Sequence, residues 1–304
     1  MKRCRNALLF FVLVAAVASA VYFLTRPPNP SYQGKRLSQW LKELPETRNP
    51  SVPPQTVEAI QAMGETAIPF LLHELSFTDS KVNQKLNDLL QRFRINLFSR
   101  RPTLWRQEKA KAALIVMGSS AKTAIPKLEK FLEDEEIAGN AASVLLHLAP
   151  EGTTALKKAM SHPKADVRRA VAWSISTPDG TNYVRLFLPE LLQQLNDPDH
   201  YVQNAAIRAV ENIPEKPEII IPALIKCLPI NPMIVGEALE RFGTNVFAYS
   251  NQIVKLILEG KLPVEWAPKL ITNTVPVSSN TNAILDLFLK RYGTSQPAPS
   301  DPPK

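Results

Sequence analysis

Four histidines, two cysteines, one acidic run and one concentration of arginines are the residues of this 304-residue chain whose types could do chemistry. His73, His147, His162 and His200 are scattered, and none has a second His or Cys at the spacing a metal site needs. Cys4 and Cys227 lie on opposite sides of an apolar run and are not expected to pair; Cys227, inside an apolar helical stretch, reads as a buried inert thiol. Glu133, Asp134, Glu135 and Glu136 form an acidic run, but no EF-hand frame surrounds it, so it reads as a solvated turn. The chain contains no G-x-S-x-G elbow, phosphate-binding Walker loop, G-x-G-x-x-G fingerprint or C-x-x-C pair. The expectation is therefore a protein with no cofactor, no metal ligands and no catalytic residues.

Charge is the stronger signal. Between Lys81 and Lys111 nine cations face only Asp88 and Glu108, so seven of the eight net positive charges of the chain fall in this one segment. Arg92, Arg94, Arg100 and Arg101 are its densest part. Such a patch attracts anionic lipid head groups, acidic surface polymers or an acidic protein. It also fits the solvated face of an inserted amphipathic helix, about Ser80 to Phe98, whose apolar face carries Val82, Leu86, Leu89, Leu90, Phe93 and Leu97.

The elements that would position these groups are helical. Anchors recur as Ile68, Leu71 and Leu75; Ile125, Leu128 and Leu132; Leu188, Leu191 and Leu195; Ile221, Leu224 and Leu228. Weaker copies lie at Leu156 with Met160 and at Ile253 with Leu256. The central leucines Leu71, Leu128, Leu156, Leu191, Leu224 and Leu256 are separated by 57, 28, 35, 33 and 32 residues. A period of this length marks stacked helical hairpins, and the long first interval marks an insertion. Alanine-rich stretches, Thr56–Met63, Gln107–Met117, Asn140–Leu148, Val167–Ile175 and Val202–Val210, supply the first helix of each hairpin; small residues let neighbouring backbones approach. Pro69, Pro126, Pro189 and Pro222 are expected in the first turn of the second helices, where a missing N–H costs nothing. Ten glycines against 27 prolines suit helices separated by stiff turns.

The pattern resembles HEAT repeats of the bacterial HEAT-like type. The residues that carry the resemblance are AIQAMGETAIPFLLHEL, AALIVMGSSAKTAIPKLEKFLED, HPKADVRRAVAWSI and LPELLQQLNDPDHYVQNAAIRAV, and they cover about residues 54–260. The resemblance implies an all-α fold, an α-solenoid of about six helical hairpins. It also implies that an Asp after a second helix and a Val-Arg at a first helix tie the repeats together. Asp197 and Asp166-Val167-Arg168 fit that role, whereas Val202-Gln203 lacks the Arg, so the polar ladder is expected to be incomplete. HEAT-type hydroxylases with di-iron centres carry several His-Glu pairs; this chain has His73-Glu74 alone. HEAT-like lyases that attach chromophores share only the repeats, and their substrates are cytoplasmic.

Location follows from the N-terminus. Ala7–Leu24 is an uncharged run of 18 residues preceded by Lys2, Arg3 and Arg5. At about 1.5 Å per residue it reaches about 27 Å, enough to span a hydrocarbon core. The preceding positive charge keeps the N-terminus in the cytoplasm and places the body outside. The alternative is a signal peptide cut near Ala20, after Ala18-Ser19-Ala20. Either way export disfavours nucleic acid as a partner, although Phe93, Phe98 and Trp105 could stack on bases.

The predicted organisation is a signal-anchor or signal helix over 1–25, a proline-rich linker over 26–36 and a solenoid over 37–292. Within the solenoid lies the basic insertion of about 80–106, and residues 293–304 form a disordered tail. Trp40 and Trp173 read as core residues. The expected role is a non-enzymatic scaffold that binds a protein partner on the concave face lined by the second helices. The exposed polar positions there are His73, Glu74, Lys127, Lys130, Gln193, Gln194 and Lys226.

Overall fold

The computed structural model describes residues 27–47, 50–78 and 101–262. Outside them lie the apolar run 7–24, most of the basic insertion with Arg92, Arg94 and Arg100, the closing helices expected at Val264–Thr272 and Asn280–Arg291, and the tail. Among the described residues no helix is long and apolar enough to cross a membrane.

Among the described residues the architecture is all-α apart from one small hairpin, and the chain forms two compact units that divide after Ala155. The N-terminal unit opens on strands β1 (Ser31–Tyr32) and β2 (Lys35–Arg36), antiparallel with Ser31 opposite Arg36 and Tyr32 opposite Lys35. The linker read over 26–36 is thus shorter than expected. Gln33 and Gly34, both at positive φ, supply the left-handed pair that a two-residue hairpin turn requires. Helix α1 (Leu37–Lys42) follows at once, with Leu37, Trp40 and Leu41 buried at amphipathic spacing. The Arg36 N–H bonds the Gln39 side chain, and the Asn29 amide bonds Ser38 in both directions, fastening the entering chain to the start of the helix.

Next come α2 (Pro54–Met63), α3 (Ile68–Leu75), α4 (Arg101–Met117), α5 (Ile125–Phe131) and α6 (Ala138–His147). Gly64 and Gly118 follow Met63 and Met117 at φ +51° and +53°, each starting a 3-10 turn that leads into the next helix. Any residue with a Cβ is strained at that φ, so glycine is needed at both turns. Helix α2 packs on α4 and α4 on α6, while α3 also meets α4 and α5 meets α6. Helix α7 (Glu151–Ala159) runs across the division between the units.

The C-terminal unit repeats the arrangement with α8 (Ala165–Ser176), α9 (Leu188–Gln194), α10 (His200–Val210), α11 (Pro217–Cys227), α12 (Pro232–Glu240) and α13 (Ser250–Leu258). Here α8 packs on α10 and α10 on α12, and α9 and α11 each meet the following first helix. Ala172, Val202 and Ala205 form the seam between α8 and α10, where small side chains permit close approach.

Five of the six central leucines, Leu71, Leu128, Leu156, Leu191 and Leu224, are fully buried. The sixth differs: in α13 the buried positions are Ile253 and Ile257, and Leu256 is half-buried. Pro222 is not in a first turn. Pro217 starts α11, which leaves Pro222 inside the helix. Trp173, expected in the core, is 64% exposed. The buried face of α8 is Val167, Val171, Ser174 and Ile175, and at about 100° per residue Trp173 points away from it.

Candidate functional site

Three elements of the N-terminal unit meet around a cleft of about 730 Å³. Helix α1 turns its apolar face inward and so leaves Arg36 and Lys42 exposed at the rim. Helix α3 buries Ile68, Leu71 and Leu75, and the same phase puts Phe70, His73 and Glu74 toward the cleft. The first turns of α4 add Trp105, Arg106 and Lys109.

Arg106 and Glu74 form the wall between α3 and α4. The guanidinium donates from Nε and Nη2 to the two Glu74 carboxylate oxygens, each at 2.7 Å, and its Cζ lies 3.5 Å from the centre of the Phe77 ring. A bidentate pair stacked on an aromatic ring fixes geometry as well as charge. Glu74 is therefore held as part of the frame. Arg36, Lys42 and Lys109 have no acidic partner among the described residues, and the one further carboxylate on the lining is Glu46. His73 also borders a second cleft, of about 560 Å³, along Leu72, Ser76, Thr123, Lys127 and Phe131. The Lys127 ammonium lies 5.2 Å from the centre of the Phe131 ring.

Of the positions singled out by helix phase, His73, Glu74 and Lys127 are brought together here. Lys130 is exposed on α5 and borders neither cleft. Arg101 opens α4. In the C-terminal unit Gln193 is exposed on a cleft of about 400 Å³, and Lys226 is exposed on α11. Gln194 is a correction. It is 3% exposed, and its amide donates to the Met160 carbonyl at 3.1 Å, because it shares the buried face of Leu191 and Leu195. The acidic run 133–136 is an exposed turn, and no group of three His, Cys, Asp or Glu gathers at metal-binding reach among the described residues.

The paired arginines and carboxylates of the C-terminal unit form internal ties. Arg168 bonds both oxygens of Asp197 at 2.7 and 2.8 Å and also the His162 and Pro163 carbonyls. Arg169 bonds Asp199 at 2.8 Å, and Asp199 accepts the Tyr201 and Val202 N–H groups as the N-cap of α10. Burial works against the Asp199 charge, but Arg169 and those N–H groups hold its carboxyl below the usual range.

Where Arg is missing, at Gln203, the ladder continues through amides. Gln203 donates to the Leu195 carbonyl at 2.8 Å and accepts from Asn231. Gln107 of α4 repeats this, donating to the Phe77 carbonyl and accepting from Asn140. The expected gap in the ladder is filled by neutral groups. The buried Cys227 thiol, also near the Leu195 carbonyl at 3.4 Å, is raised by burial, which suits a packed thiol.

Fold and site together define an all-α protein of packed helical hairpins with a cation-rimmed cleft in its N-terminal unit. No family model matches the chain, and no curated protein matches it. Among solved structures it is similar to an engineered protein from a structural genomics consortium, with 18% identity over 81% of this chain and 78% of that one and a TM-score of 0.35. An overlap that low carries no conclusion.

Proposed function

We propose that this chain is a HEAT-like α-solenoid acting as a non-enzymatic scaffold that binds a protein partner along its second helices. It is held at the membrane by residues 7–24 with its body outside the cytoplasm; cleavage near Ala20 would leave the same body exported. The observation that carries the reading is the pair of clefts bordered by His73, with Lys127 on the second. Arg36, Lys42 and Lys109 on the first and Lys127 on the second have no acidic partner among the described residues, whereas Arg168, Arg169, Arg185 and Arg208 of the C-terminal unit are spent on ion pairs.

Two experiments test it. A reporter active only outside the cytoplasm, fused after residue 45, is expected to be active; an inactive fusion removes the export reading. A photo-crosslinking residue at His73 or Lys127 is expected to give a defined protein adduct, and one at the buried Gln194 is not. The same adducts at all three positions, or none at any, count against a partner on this surface.

The concentration of charge between Lys81 and Lys111 favours a second reading, in which Arg92, Arg94, Arg100 and Arg101 dock the body onto anionic lipid or polymer. Neutralising all four abolishes low-salt sedimentation with anionic vesicles on that reading, and unchanged sedimentation removes it.

A further inference from the structure

We infer that the cleft between α1, α3 and the start of α4 is a docking site for a short acidic peptide segment that carries an apolar anchor residue. The inference rests on the interaction reading above and names the kind of partner.

Charge sets the sign. Arg36, Lys42 and Lys109 face the cleft without acidic partners among the described residues, while Arg106 is neutralised by Glu74 within the wall. Among the described lining residues Glu46 alone opposes them, so the cleft holds a positive excess with low-dielectric walls on its sides, which concentrates the field on an anionic occupant.

Size and lining set the rest. A volume of about 730 Å³ far exceeds one carboxylate or phosphate and falls within the range of about 300–1,000 Å³ in which pockets enclose a whole ligand. The half-buried Phe70 and Trp105, with the edge of the buried Leu41, give the cleft an apolar wall, the surface on which a Leu or Phe of a partner would supply most of the affinity. The Trp105 indole N–H behind that wall is buried and has no acceptor among the described residues. Pro27 and His73 border both this cleft and the next, where Leu72 and Phe131 continue the apolar surface and Lys127 adds a cation. Two adjoining clefts, each with apolar and cationic lining, fit an extended chain with alternating side chains better than a compact head group.

The test uses the full chain held in nanodiscs of neutral phosphatidylcholine and a fluorescein-labelled peptide of alternating Glu and Leu with one central Phe. Its controls are the same peptide with Gln for every Glu, and phosphatidylglycerol vesicles. The acidic peptide is expected to bind, the Gln peptide to bind at least about tenfold more weakly, and Lys42→Glu with Lys109→Glu to weaken the acidic peptide about tenfold, all with a steep loss on adding salt. Circular dichroism checks that the variant, altered at an exposed and a half-buried surface position, keeps its helices. Equal binding of the two peptides, or unchanged affinity in the double variant, overturns the proposal. So does binding of the vesicles, lost in the double variant, with no peptide binding, since the cleft then belongs to lipid. If crosslinking at Lys127 captures a protein but the acidic peptide does not bind, the cleft proposal fails and the scaffold reading stands. If the peptide binds as expected while no position captures a protein, the cleft proposal stands and the scaffold reading fails.

Discussion

The repeat arginines of the C-terminal unit and the cleft cations of the N-terminal unit are used in opposite ways. In the C-terminal unit Arg168, Arg169, Arg185 and Arg208 are answered by Asp197, Asp199, Glu215 and Glu237, each 29 or 30 residues further on. That interval is close to the hairpin period, so each pair ties one part of the stack to another. In the N-terminal unit the cations around the cleft, apart from Arg106, have no acid to answer them among the described residues. The same residue types thus act as ties at the repeat positions, Lys122 with Glu151 of the N-terminal unit included, and as an open surface at the cleft, and counting charges along the chain does not separate the two uses.

The largest effect should come from the most buried tie. Arg168→Ala leaves Asp197, whose side chain is 7% exposed, without its bidentate partner, and is expected to cost about 3 kcal/mol in chemical denaturation. A loss as small as a surface substitution gives would mean that the tie is ornamental. Next are the amide ties: Gln203→Leu strands the Asn231 amide and removes a donor from the Leu195 carbonyl, for a loss of about 1–3 kcal/mol. Gln107→Leu should match it within about 0.5 kcal/mol, because the bonds lost are of the same kind.

Asp199→Asn should lose about 1 kcal/mol at pH 7. The lowered folded-state carboxyl contributes stability above its unfolded value of about 3.9 and loses it as pH falls through the folded value. The gap in melting temperature between the two proteins is therefore expected to close below pH ~4; a constant gap would assign the effect to packing. Smallest of all, Lys42→Gln with Lys109→Gln should leave stability within about 0.5 kcal/mol.

Much of the scaffold was legible because its signal is periodic. Leu71, Leu128, Leu156, Leu191 and Leu224 fall on the repeat and are buried, and the Met-Gly steps at Gly64 and Gly118 mark turns that require left-handed backbone. The errors arose where residue type and helix phase disagreed. Gln194 is polar but lies in phase with Leu191, and Trp173 is aromatic but lies out of phase with Val171. Helix α12 escaped notice because it lacks the alanine pattern, burying only Val235, Ala238 and Leu239. The cleft itself was only partly legible. His73 and Lys127 follow from helix phase, but Arg36 at the end of β2 and Lys42 at the end of α1 lie more than 60 positions before Lys109, and no local pattern joins them.

The central claim is that the cleft cations serve a partner while the arginines of the C-terminal unit serve the fold. It is tested most directly by measuring, side by side, denaturation and acidic-peptide affinity for Lys42→Gln/Lys109→Gln and for Arg168→Ala. The account predicts that the first variant keeps its stability and loses most of its affinity, and that the second, while still folded, loses stability and keeps its affinity. If the cleft variant is the one destabilised, or if both bind the peptide as the unaltered chain does, the division of roles is wrong.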